Sequence, residues 1–211
     1  PNKLNSYEVK VFSQNGEDGI IEEILIRIGV TNGYFVEFGT GNGLQNNTAY
    51  LLTKRWSGLW IESDQINCRD IRDKFDFLLG DNTLALYEGS VSAENVETIF
   101  YNSGVPPEFD VLSIDIDGND YWVWNRIKKY KPKIVVIEYN AHYPPTFRWV
   151  QKYDTNRNWD GSSYFGASLK SLEILGSEKG YCLVGCDFAG VNAFFVRRDL
   201  VQNQFSPPYT A

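Results

Sequence analysis

The run Tyr34-Phe35-Val36-Glu37-Phe38, followed at once by Gly39-Thr40-Gly41-Asn42-Gly43, constrains this chain more than any other feature. Four of those first five residues are aromatic or β-branched, and the run reads as a buried strand. Three glycines at alternate positions then permit a tight turn and bring backbone close to a ligand. A strand ending in such a turn opens a β-α unit, and the rest of the chain repeats that alternation.

Asn15-Gly16-Glu17-Asp18 reads as a helix start, with acids in the first turn where the helix dipole favours them. Ile20, Ile21, Ile24, Leu25 and Ile28 follow at helical spacing, and Gly29 ends the helix. After the glycine turn, Asn46 or Asn47 is expected to cap a helix through Ala49 and Leu52. Leu59-Trp60-Ile61 is a second strand that stops at Glu62, and a helix covers about 65–78. Strands follow at 83–87, 110–115 and 134–139, with helices through Val96 and Ile99, at 121–127 and at 167–175. Residues 181–184 and 192–196 close the pattern as a hairpin-like pair. Strands joined by helices imply a parallel sheet covered on both faces, with ligands at the carboxyl ends of the strands.

The 211 residues suffice for one domain with its own core. The chain is therefore read as a single domain, 1–211, with a lid-like insertion at about 140–165. That stretch is long and lacks periodicity, which is the mark of a functional loop. The net charge is −7, which disfavours a nucleic-acid partner, because phosphate binding needs a basic field. Apolar runs are only strand-sized, so no membrane partner is expected. Cys68, Cys182 and Cys186 have no metal-ligand spacing, and their odd number suggests free thiols in a reducing compartment. With a polar first segment, PNKLNSYEVK, the expected location is cytoplasmic.

The glycine turn discriminates between nucleotide folds. A dinucleotide fingerprint places its third glycine at residue 44, which is leucine here, and no Gly-Lys-Ser/Thr follows for a phosphate loop. The pattern is E-x-G-x-G-x-G, with Glu37 inside the strand. Glu62, with Ser63 beside it, ends the next strand, where an acid takes both ribose hydroxyls. Loop and acid together indicate an adenosine-type ligand. A nicotinamide-type oxidoreductase is the competing reading, and Leu44 argues against it.

The ordered motifs resemble those of class I S-adenosylmethionine (SAM)-dependent methyltransferases, and among them the FkbM-type group. The matching segments are Ser13-Gln14-Asn15-Gly16-Glu17-Asp18-Gly19-Ile20-Ile21, the glycine turn with Asn46-Asn47-Thr48, and Trp56-Ser57-Gly58-Leu59-Trp60-Ile61-Glu62. Further along come Ser113-Ile114-Asp115-Ile116-Asp117-Gly118-Asn119-Asp120, Val135-Val136-Ile137-Glu138-Tyr139-Asn140 and Gly190-Val191-Asn192-Ala193-Phe194-Phe195-Val196. The resemblance implies an α/β, Rossmann-like class I methyltransferase fold. Its seven-stranded, mostly parallel sheet has the order 3-2-1-4-5-7-6, with helices on both faces and the seventh strand antiparallel. It also implies that Glu37 and the backbone of Gly39, Gly41 and Gly43 hold the methionine part of SAM, with Asn47 in the same loop. Glu62 then holds the ribose, Ser90 and Val91 lie by the adenine, and Gln14 closes over the cofactor's carboxylate. A non-catalytic SAM-binding module is the remaining alternative.

Asp115 and Asp117 leave the fourth strand on one face by period-two alternation, and Glu138 and Asn140 do so from the fifth. If those strands are neighbours, the four groups meet. Asp115 then serves both cofactor and chemistry. Two readings stand. Asp115, Glu138 and Asn140 hold Mg2+ or Mn2+, which orients an acceptor hydroxyl and lowers its pKa. Alternatively, a carboxylate acts as a metal-free general base. Asp117 or Asn119 is also placed to cap the next helix. His142, the one histidine, follows the fifth strand and is a second candidate base. In the insertion, Arg148, Lys152 and Arg157 accompany Trp149, Tyr153, Trp159 and Tyr164. This suggests a stacking lid for a sugar or for a phosphorylated or nucleotide-linked metabolite. The resemblance favours O-methylation in polysaccharide or natural-product biosynthesis.

Overall fold

The computed structural model describes residues 3–156 and 159–211. The first helix, α1 (Glu17–Arg27), buries Ile20, Ile21, Ile24 and Leu25, the residues that recur at helical spacing. Strand β1 (Tyr34–Phe38) leads through the glycine turn to α2 (Ala49–Thr53). Next come β2 (Ser57–Glu62), α3 (Gln65–Gly80), β3 (Leu84–Glu88) and α4 (Val96–Asn102). Then follow β4 (Val111–Ile114), α5 (Asp120–Arg126) and β5 (Ile134–Glu138). The chain closes with α6 (Leu169–Glu178), β6 (Tyr181–Cys186), β7 (Asn192–Arg197) and the short α7 (Arg198–Val201).

The seven strands form one sheet in the order β3-β2-β1-β4-β5-β7-β6, and β7 runs antiparallel to both neighbours. This is the topology expected from the motifs. The central strands are mainly apolar because both faces are covered, with Glu37 in β1 and Ser113 in β4 as the buried polar exceptions. Val36, Leu59, Leu112 and Val135 pack into a core on one face. Phe35, Trp60, Val111 and Val136 pack on the other. Parallel register aligns Phe38 with Ile61 and Ile114, and Ile114 with Ile137. Gly39, Glu62, Asp115 and Glu138 therefore all emerge at the same edge. β1 sits where the strand order reverses, the usual ligand position in open α/β sheets.

Two expected caps are corrected. The residue before α2 is Thr48, without a side-chain cap; the Asn46 side chain turns inward to Glu37 and the Asn47 side chain to Ser113 instead. Neither Asp117 nor Asn119 caps α5 with its side chain. Asp120 instead takes the amides of Ile116 and Gly118 at 2.8 and 2.9 Å. A buried carboxylate offers more acceptor capacity to these loops than an amide cap does. Among the described residues, no helix is long and apolar enough to cross a membrane.

Candidate active site

A cleft of about 610 Å3 opens at the carboxyl edge of the sheet, between the loops after β1 to β5. The glycine turn forms one wall. Gly39 has φ +71°, and a Cβ there would lie 1.7 Å from the Asp115 carbonyl oxygen. Only glycine lets the β1 and β4 loops approach so closely. Gly43 (φ +79°) faces away from the cleft onto the rings of Trp60 and Phe75, so its role is packing rather than contact. Gly41 lines the cleft and donates its amide to Glu62 Oε2 at 2.7 Å.

Glu62 is 6% exposed and faces the cleft. Its Oε1 also accepts the amides of Ser63 and Asp64 at 2.9 and 2.8 Å, and Asp64 in turn caps α3. Three backbone amides thus fix the orientation of the acid at the cleft wall. Ser63, Ser90 and Val91 line the same wall, with the loop at Ser90 held by the Asn95 amide through the Ser90 carbonyl. Gln14 faces the cleft from the opposite side. Its loop is held by Asp18, whose Oδ2 accepts the amides of Val11, Phe12 and Ser13 at 2.8, 2.6 and 2.8 Å.

Glu37 does not open onto the main cleft. Buried to 2% exposure, it accepts Asn46 Nδ2, the Asn47 and Thr48 amides and Thr48 Oγ1 at 2.5–3.0 Å. Burial nevertheless pushes its pKa up. With its oxygens committed to these four donors, it ties the loop to β1. It lines a smaller hollow beside Gly39 rather than the main cleft. Asn47 is likewise committed, donating to Ser113 Oγ at 3.1 Å.

Asp115, Asp117 and Glu138 bring oxygen atoms within 4.8 Å of one another. Glu138 Oε2 is buried without a partner. Burial, then repulsion from Asp115, Asp120 and Asp117, pushes Glu138 up to about 10. Asp115 is raised well above the carboxylate range, by burial first and then by Asp120 and Asp117. Asp117 has φ 57°, a left-handed conformation held by the two Asp120 hydrogen bonds on either side of it. Asp120, itself pushed up to about 6 by burial, was not among the expected site residues. The signal was an acid three positions after Asp117, but in the sequence it merges with an ordinary turn.

Two expected members lie apart from this cluster. Asn140 is fully buried, donating to the Ser163 and Phe165 carbonyls at 2.8 and 2.9 Å and accepting the His142 amide at 3.0 Å. It anchors the insertion, and Asp117 stands in the third position assigned to it. The turn it builds carries His142 to an exposed position outside the cleft lining. In the insertion, Tyr143 stacks on Trp149 at 4.6 Å, and Trp149 meets Tyr164 edge-on. Tyr153 hydrogen-bonds Glu94. Of the four expected lid aromatics, Trp159 lines the cleft. Arg148 and Lys152 are exposed away from its lining, and Arg157 lies outside the described residues.

No family model matches the chain, and no curated protein matches its sequence. Solved structures match its fold, which is that of the Rossmann-like methyltransferases. A candidate caffeoyl-CoA O-methyltransferase from Staphylococcus aureus aligns with TM-score 0.57 at 14% identity, over 90% of this chain and 86% of that one. Cofactor-bound Rv0187 from MTB aligns with TM-score 0.55 at 14% identity, over 92% and 86%. The N-terminal domain of EvdMO1, with S-adenosylhomocysteine bound, aligns with TM-score 0.51 at 12% identity, over 89% and 82%.

Proposed function

We propose that this chain is a SAM-dependent methyltransferase acting on an oxygen of a small polar acceptor. The observation that carries the reading is the Gly41–Glu62 clamp opening onto a cleft floored by Asp115, Asp117 and Glu138. SAM supplies an electrophilic methyl group. The chain's own work is alignment and proton removal. Backbone at Gly39 and Gly41 and the Glu62 carboxylate orient the adenosine part, with Ser90 and Val91 flanking the base. The cleft walls align the acceptor oxygen with the methyl group. Asp117 takes the acceptor's proton, because Glu138, pushed up to about 10, already holds a proton near neutral pH and cannot act as the base.

A sugar hydroxyl suits this cleft. Its lining includes the acids Glu62, Asp64 and Asp117, an acidic surround that disfavours phosphate, and Trp159 offers a stacking face. The phosphorylated or nucleotide-linked acceptor loses the support of Arg148 and Lys152. The FkbM-type resemblance supports O-methylation in polysaccharide or natural-product biosynthesis.

A second reading is favoured by the unpartnered Glu138 Oε2. Asp115, Asp117 and Glu138 supply hard oxygen donors that suit Mg2+ or Mn2+, which would activate the acceptor hydroxyl. Calorimetry tests the main reading. Binding of S-adenosylhomocysteine without binding of NADH is expected, and the reverse result rejects it. Titration with Mn2+, followed by its paramagnetic resonance, tests the second. Loss of binding in Asp117→Asn is expected, and no binding by the wild type refutes it.

A further inference from the structure

A smaller hollow of about 30 Å3 opens beside Gly39, lined by residues that include Gln14, Glu17, Asn46, Asp115 and Asn192. Asp115 and Gln14 belong to both the hollow and the main cleft, so the two spaces adjoin. The volume suits one group of about the size of a water molecule.

Two amides on its wall are unusually constrained. Asn46 is 5% exposed and donates Nδ2 to Glu37 Oε2 at 2.7 Å. Asn192, on β7, is 3% exposed and donates Nδ2 to Glu17 Oε1 at 2.9 Å. An ionised carboxylate only accepts hydrogen bonds, so neither amide can flip without losing its bond. Each therefore turns its oxygen away from its carboxylate. Both Oδ1 atoms are buried without a partner. Buried acceptors left unpaired are costly, and two on one small hollow call for a donor from outside the chain.

We propose that this hollow receives a primary ammonium group. Asn46 Oδ1, Asn192 Oδ1 and the Asp115 carboxylate accept its three N–H bonds. An ammonium offers three donors and no acceptor, which matches three acceptors on an acidic wall. A water molecule, with two donors, leaves one acceptor unpaired. The inference rests on the SAM reading, because SAM carries such a group on its methionine end. It assigns that end to two asparagines, one from the β1 loop and one from the antiparallel strand. Glu37 and Glu17 act behind them as positioning residues that set the amide orientation.

The test is calorimetry on the full chain with three probes. These are S-adenosylhomocysteine, its analogue with hydrogen in place of the α-amino group, and 5′-methylthioadenosine, which lacks the amino-acid end. The wild type is expected to bind S-adenosylhomocysteine at least about 10-fold tighter than the deamino analogue, the scale of a charge-assisted hydrogen bond. Asn192→Ala should reduce that preference while leaving methylthioadenosine affinity unchanged. Equal binding of the first two probes by the wild type overturns the proposal, and that comparison needs no variant to fold. Equal weakening of all three probes in Asn192→Ala also overturns it. Binding of none of the three by the wild type instead overturns the SAM reading on which it rests.

Discussion

The Glu62 carboxylate accepts the Gly41 amide at 2.7 Å, so the acid that ends β2 holds the turn that ends β1. Through the Ser63 and Asp64 amides the same group fixes the start of α3. The proposed ligand contact and the loop geometry are thus joined in one side chain. Glu62→Ala is expected to weaken S-adenosylhomocysteine binding by about 1–3 kcal/mol, the range for hydrogen bonds to a charged group. Calorimetry showing unchanged affinity would remove Glu62 from the ribose site.

Gly39→Ala should destabilise the fold itself. The new methyl would meet the Asp115 carbonyl at 1.7 Å, on backbone at φ +71°. Strain and overpacking together predict a loss of about 2–5 kcal/mol. Urea unfolding that shows a loss below 1 kcal/mol, taken as roughly the median cost of any substitution, would mean the two loops separate easily.

Glu138 predicts a pH dependence. Its pKa is raised from 4.5 to about 10, so the folded state holds a proton that the unfolded state releases. Stability from this group is full below the unfolded value and is lost as pH rises through the window between the two. Glu138→Gln carries no such proton. Measured in EDTA, the melting temperature of the variant should gain on the wild type between about pH 5 and pH 9. A difference that stays constant with pH would contradict the raised value.

His142→Ala should leave methyl transfer from labelled SAM to a sugar acceptor within about 2-fold of wild type, because the residue lies outside the cleft lining. Asp117→Asn should slow the same reaction by about 10²-fold or more, the scale of a lost acid–base group. A slow His142→Ala with a normal Asp117→Asn would reverse the assignment of the base.

The β-α alternation, the glycine turn and Glu62 were legible because each is a local pattern. The period of apolar residues selects helix or strand, and a glycine run marks where backbone must bend. Burial on both faces makes the central strands mainly apolar runs, so even the carboxyl edge is legible. The strands beyond the first five are legible as a pair, and their place beside β5 is what the family resemblance implies.

The composition of the site was less legible, because side-chain partners are chosen across the fold. Asn46, Asn47 and Asn140 looked like caps or ligands, since an exposed amide and a buried one are identical in sequence. Tertiary packing put a carboxylate beside Asn46 and backbone carbonyls beside Asn140, which decided the matter. The same packing brought Asn192 to the glycine turn and turned His142 outward. Periodicity along the chain thus determined a parallel sheet covered on both faces and the edge where ligands bind in such sheets. Which polar groups face that edge was decided only by the tertiary structure, because each must satisfy its hydrogen bonds with whatever the fold sets beside it.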